Sequence, residues 1–211
     1  MIASLVRPDL KESARFSYVL DQWKRMAGGK SFQYDNKVYL SEKSEPWTNR
    51  ALSCLMKSAG AFDPEADIDA TLNFYFMLCS LESDADRMSI VAATLANNGV
   101  CPLTGDVVLN PRVVRDTLSI MFTCGMYDYS GQFAFSVGVP AKSGVGGAII
   151  TVVPGLMGFC TYSPRLDSYG NSVRGVEFCK MIAKRFHFHQ FAIESDPLVS
   201  PHVKDLHYEL L

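Results

Sequence analysis

Partway along this chain the hydrophobic spacing changes period, and no other feature of the sequence limits the fold as much. Before the change, apolar residues recur every three to four positions. After it, Phe133, Phe135, Val137 and Val139 alternate with Gln132, Ala134, Ser136 and Gly138. The first pattern buries one stripe of a helix and the second buries one face of a strand. Ala148 to Val153 follows as a β-branched run, and Pro154-Gly155 turns it into Leu156 to Tyr162. The three segments read as adjacent antiparallel strands. Helices, then a meander, then a covering helix make an α+β domain. Three strands are few for this much helix, so the expectation is a sheet that lacks some of its strands.

The helices carry readable ends. Asp9 followed by Glu12 is a capping-box arrangement; Phe16, Val19, Leu20 and Trp23 mark one apolar face, and Gly28-Gly29 closes it. Ile68 to Leu81 and Arg87 to Ala96 come next, the second stopped by Asn97-Asn98-Gly99. Asn110-Pro111 supplies a cap and a first-turn proline to a helix with Val114, Leu118, Met121 and Phe122 along one side and Gly125 just past its end. Asn171-Ser172 caps the last helix, with Val173, Val176, Cys179, Ile182, Ala183 and Phe186 facing inward.

Composition removes several classes of function. Lys+Arg 20 against Asp+Glu 22 leaves no basic surplus for a nucleic acid or an anionic membrane. No apolar run is long enough to span a bilayer, and Met1 to Pro8 has no basic stretch leading into a long apolar core, as a secretory leader would. The six cysteines are widely spread with no C-x-x-C pair, which reads as buried reduced thiols and not as disulfides or a metal site. His187 and His189 alternate without a cysteine or carboxylate cluster beside them, so they read as surface or partly packed imidazoles. No metal and no cofactor is expected.

Chemistry concentrates in Gly125-Met126-Tyr127-Asp128 and in Gly138 to Gly147. Lys142-Ser143-Gly144, placed at the start of a strand, is the K-[ST]-G element of serine β-lactamases and penicillin-binding proteins. Glycines there let backbone approach a ligand, so the Val145 N–H is a candidate oxyanion donor. A bare Gly-rich strand start also fits a plain bulge.

Longer stretches carry more weight. Met126 to Phe135, Val139 to Val145, Ser163-Pro164 through Val173, Phe74 to Ser80 and Ala92 to Pro102 together resemble the serine-dependent glutaminase family, most closely its animal kidney and liver type. The resemblance runs over nearly the whole chain. It implies a serine β-lactamase/penicillin-binding-protein-like fold and hydrolysis of L-glutamine to L-glutamate and ammonia through a serine acyl-enzyme. Carried over by position, Glu42, Asn49, Tyr75, Tyr127 and Val145 match substrate-binding residues. A carboxylate suits the substrate's α-ammonium, and an amide serves its polar groups. By themselves Glu42 would be a solvated charge, Asn49 a turn or cap residue and Tyr75 a core aromatic. A phenol moves protons near neutrality only beside cations, and the resemblance implies a lysine near Tyr127, which makes Tyr127 the choice for general acid/base. Lys142 supports it electrostatically or serves the strand, and Val145 supplies one oxyanion-hole N–H.

The sequence departs from the family at the nucleophile. No serine here has lysine three residues later; Ser53 to Lys57 and Ser200 to Lys204 are one residue too long. In the family the Ser-x-x-Lys helix precedes an Asn-Ala-Gly-Ala segment, and Met1-Ile2-Ala3-Ser4-Leu5 resembles the continuation of that segment. The expectation is therefore a partial glutaminase catalytic domain over 1–190 and a C-terminal tail over 191–211. Such a chain should be inactive and aggregation-prone alone. A non-catalytic subunit that associates with full-length glutaminase is the alternative, and a penicillin-reactive relative is a remote third. The resemblance also implies a homo-oligomer, a homotetramer in complete members, with mitochondrial or cytoplasmic placement; the charge balance and the absence of a long apolar run add the expectation of no nucleic-acid or membrane partner.

Overall fold

Side chains that accept free backbone N–H groups decide where most of the helices begin. The computed structural model describes residues 1–192, and they fall into two units. Residues 1–24 with 30–83 form one; residues 25–29 with the chain from Asp84 onward form the other. The expected tail lies almost wholly outside the described residues.

The first unit contains α1 (Ile2–Leu5), most of α2 (Glu12–Met26), β1 (Gln33–Tyr34), α3 (Asn36–Ser44), α4 (Trp47–Ser58), α5 (Ile68–Cys79) and β2 (Leu81–Glu82). Asp35 caps α3 by accepting from Lys37 N at 2.7 Å, and Asp67 caps α5 by accepting from Ala70 N at 3.0 Å. Leu72, Phe74 and Phe76 of α5 are buried, and α1, α3 and α4 pack on that helix. Arg15 lies 4.2 Å above the Phe74 ring and donates to the carbonyls of Val6 and Ala3, tying α2 to the end of α1. The capping box does not form. Both Asp9 oxygens go to Arg7 instead, at 2.8 and 2.6 Å, because the guanidinium fork two residues away matches a carboxylate better than a lone N–H does.

The second unit contains α6 (Ala85–Ala96), α7 (Pro111–Cys124), a 3₁₀ turn (Tyr127–Tyr129), α8 (Ser130–Ser136), β3 (Ala141–Ser143), β4 (Ala148–Val153), β5 (Met157–Tyr162) and α9 (Val173–Phe186). The sheet is antiparallel in the order β3-β4-β5, with Ile149 opposite both Ser143 and Thr161. Ile149 and Val153 pack with Val176 and Cys179 of α9 on one face. Val152 packs with Ala92, Leu95, Val114 and Met121 of α6 and α7 on the other. With both faces covered, β4 needs an unbroken β-branched run, and this explains Ala148 to Val153. Arg25 forks onto Asp106 at 2.7 and 2.9 Å, which fastens the 25–29 segment to this unit.

Phe133 to Val139 is not a strand. Phe133 and Val137 are buried, while Phe135 is 87% exposed. Residues four apart share a helix face and the residue between them points away, so a short alternation containing one exposed apolar residue mimics strand spacing. The third strand is Ala141–Ser143, so Lys-Ser-Gly closes a strand and Gly144 to Gly147 makes the hairpin into β4. Val173 is exposed on the first turn of α9, not inward. Cys101 and Cys179 are buried as expected, but Cys54, Cys79 and Cys124 are exposed. Asn110 and Ser172 cap α7 and α9 as read.

At Gly158 the α6 backbone lies directly on β5: a Cβ there would sit 2.1 Å from the carbonyl carbon of Ala92. Gly158→Ala should therefore lower stability by about 3 kcal/mol, read as a lower guanidinium midpoint at unchanged slope. A neutral result would mean that α6 does not rest on the strand. Burial pushes the Cys160 and Cys179 thiols up from 9.0 to about 11. An acid whose pKa is raised by folding stabilises the fold below its unfolded value and loses that contribution as pH rises through the folded value. Unfolding free energy should thus fall between about pH 9 and pH 11, with the Cys179 share on the order of 2 kcal/mol. Cys179→Ala should flatten that slope, whatever it does to stability at pH 7.

Candidate active site

In the first unit, helix spacing places the candidate residues. Phe74 and Phe76 point into the core, so Tyr75, a third of a turn from each, is left 40% exposed. It lines a cavity of about 330 Å³ together with Asn49, Ser53 and Thr71, walled by Leu52, Met56 and α1. Asn49 sits half-buried in the first turn of α4. Asn49 and Tyr75 are thus brought together, and Tyr75 is not the core aromatic that its apolar neighbours suggest. Glu42, exposed on α3, is not part of this lining. Its charge reaches Cys79, one turn beyond Tyr75. Although Cys79 as a residue is exposed, the atoms packed round its thiol desolvate and raise it; the Tyr75 hydroxyl lowers it, and Glu42 raises it again.

In the second unit, Lys142 and Tyr127 meet. Ala141 and Ser143 are buried, so the pleat sends Lys142 to the opposite face, where its Nζ stands 4.7 Å from the Tyr127 ring centroid. The ammonium also donates to the Ser143 carbonyl. Burial lowers the Lys142 pKa from its ordinary value. Tyr127 opens the 3₁₀ turn with φ +53°, a left-handed backbone that costs a non-glycine residue energy. Val145 stands in the β3–β4 hairpin, 75% exposed, and its N–H has no hydrogen-bond partner among the described residues. This is a cation on a phenol beside a hairpin with a free N–H, an arrangement able to move a proton and to meet a developing oxyanion.

Two polar contributors escaped the sequence reading. Cys79 stands one turn from Tyr75, whose hydroxyl lowers the thiol's pKa, a relation whose only signal is i, i+4 spacing on a helix. Asn171, read as part of a cap, is fully buried and donates to the Met126 carbonyl at 3.1 Å. Among the described residues, no group of three or more His, Cys, Asp or Glu could hold a metal ion, and no helix is long and apolar enough to cross a membrane.

The sequence profile of the family described as Glutaminase matches residues 1–191. The mitochondrial liver isoform of glutaminase from Mus musculus is 45% identical over 191 residues, covering 90% of this chain and 32% of its own length. A glutaminase from Nostoc is 44% identical over 177 residues, 84% of this chain and 52% of that protein. A solved structure described as a probable glutaminase from Bacillus subtilis complexed with 6-diazo-5-oxo-L-norleucine superposes with a TM-score of 0.83 at 31% identity. It covers 90% of this chain and 63% of that one. The chain spans about a third of the length of the animal relatives it matches.

The effect of the Tyr75 hydroxyl on the Cys79 thiol has a simple readout. Tyr75→Phe removes the donor that favours the thiolate, so alkylation of Cys79 by iodoacetamide at pH 8 should slow about threefold relative to the exposed Cys54, followed by peptide mass spectrometry. An unchanged or faster rate would mean that the phenol does not touch the thiol.

Proposed function

Because this chain belongs to the glutaminase family, we propose that it furnishes part of an active site that hydrolyses the side-chain amide of L-glutamine to L-glutamate and ammonia. The observation that carries this reading is the Lys142 ammonium 4.7 Å from the Tyr127 ring centroid, three residues before a hairpin Val145 N–H that has no partner among the described residues. Tyr127 is the general acid/base, Lys142 holds it electrostatically, and the Val145 N–H receives the oxygen of the tetrahedral intermediate. Asn49 and Tyr75 bind polar groups of the substrate, and Glu42 takes its α-ammonium.

The reaction balances in two displacements. A serine Oγ bonds to the carboxamide carbon as its proton passes to the base. The C–N bond then breaks, and the nitrogen leaves as ammonia after accepting a proton. Water attacks the acyl-serine next, gives a proton back to the serine oxygen and releases glutamate. No Ser-x-x-Lys occurs in these 211 residues, so the attacking serine comes from polypeptide outside them.

In the Bacillus subtilis relative the bound molecule is 6-diazo-5-oxo-L-norleucine, an amino acid with a carbonyl at the position where glutamine carries its amide, and this supports glutamine as substrate. Self-association is part of the same reading, supported by Trp47, Leu52 and Leu55, which leave one helix, α4, with exposed apolar area. A mitochondrial setting is proposed by analogy with the mitochondrial liver-type relative.

Pure 1–211 should release no ammonia from L-glutamine. Joined to the upstream part of the mouse relative, it should gain that activity, and Tyr127→Phe in the joined protein should lower kcat by roughly 10²–10⁴-fold with KM little changed. Protein-dependent ammonia from 1–211 alone, or full activity without the Tyr127 hydroxyl, would contradict the assignment.

A further inference from the structure

Two local costs meet beside Tyr127. Its φ of +53° belongs to a region that a tyrosine holds only when its surroundings keep it there. Close by, Asn171 is fully buried, and its Oδ1 has no partner among the described residues. A buried acceptor left unmade is unfavourable, and such cases call for a compensating reason. The reason lies on the other half of the same amide: Nδ2 donates to the Met126 carbonyl at 3.1 Å. Turning the amide over would set its oxygen against that carbonyl oxygen, so the bond to Met126 fixes which way the group lies.

That carbonyl belongs to the peptide leading into Tyr127. Ser130 holds the same stretch from within, accepting from Met126 N at 3.0 Å and donating to the Tyr127 carbonyl at 2.6 Å. Asn171 is itself immobilised. Its N–H donates to Asp167 Oδ1 at 3.0 Å and its carbonyl accepts from Asp167 N at 2.8 Å, just ahead of the Ser172 cap of α9. A Cβ at Gly170 would lie 3.6 Å from the Tyr127 ring, so the backbone of this loop runs alongside the ring edge. The peptide before Tyr127 is therefore bonded to a loop that is tied to a long helix.

We propose that Asn171 is a positioning residue: through the Met126 carbonyl it keeps Tyr127 in the left-handed backbone that sets the phenol ring beneath the Lys142 ammonium. The proposal deepens the reading of Tyr127 as general acid/base and rests on it for its functional meaning. The geometry can be tested without any substrate. A bond that merely steadied the loop would change overall stability and leave the relation between Tyr127 and Lys142 untouched.

The test uses the full 211-residue chain with ring-¹³C tyrosine, Tyr127 being assigned by its loss in Tyr127→Phe. Lys142→Met should displace the Tyr127 ring resonance, because it removes the charge on the ring face. In an Asn171→Ser background that displacement should shrink to about half or less, while Tyr129 keeps its resonance. Equal displacement in both backgrounds would overturn the proposal, as would no displacement in the native background. Should Asn171→Ser fail to fold, Ser130→Ala frees the same two peptides from the other side and must show the same shrinkage; full displacement there would overturn the proposal. None of these spectra contains glutamine. A failed coupling therefore speaks against Asn171, while missing hydrolysis in the joined protein speaks against the functional reading.

Discussion

The second unit depends on a strand with no exposed face. Ile149, Thr151 and Val152 of β4 are completely buried, and each large apolar side chain so placed contributes about 1.5–3 kcal/mol relative to exposure. Burying both faces requires a layer on each side, α9 on one and α6 with α7 on the other. It also fixes the pairing register, since a slip of one residue would exchange the two apolar sets. The register decides where the candidate residues stand. With Ser143 opposite Ile149 and Lys142 opposite Ile150, the pleat carries Lys142 to the face opposite that of Ser143. From there it reaches Tyr127, which follows α7 after Gly125. Packing and site geometry are therefore linked through one pair of strands.

Much of this was legible because it follows from local rules. Asn110-Pro111, Ser172 and Asn98-Gly99 mark ends that the structure reproduces, since caps and left-handed residues act over three or four positions. The α+β class followed from the change of period, although the first alternating segment turned out to be α8. Phe135, apolar and 87% exposed, was the misleading residue. The helices α3 and α4 escaped notice for other reasons. α3 buries no residue and carries little amphipathic pattern; α4 does carry one, with Leu52, Leu55 and Met56 at helical spacing, but without a capping side chain at its start it was passed over.

Site residues divide in the same way. Tyr127, Lys142 and Val145 were picked out through resemblance, and the glycines near them gave a physical reason to look there. Glu42, Asn49 and Tyr75 rested on resemblance alone, because a surface carboxylate, a helix amide and an aromatic in Phe-Tyr-Phe have ordinary structural uses. Long-range polar pairing is disclosed by no sequence rule: the Asn171 bond to Met126 spans 45 residues. It was hidden because a buried amide and a helix-capping Asn look identical in a string of letters. Family membership says which chemistry to expect, and the geometry says how these particular residues can take part in it.

The most direct measurement is a titration of the ¹⁵N-labelled chain with L-glutamine, following the Asn49 side-chain amide and the Val145 backbone N–H. The expected result is a saturable shift at both groups, with none from D-glutamine at equal concentration. If neither signal moves while residues elsewhere do, these two groups do not face the substrate, and the assignment of this chain's residues to a glutamine site is wrong.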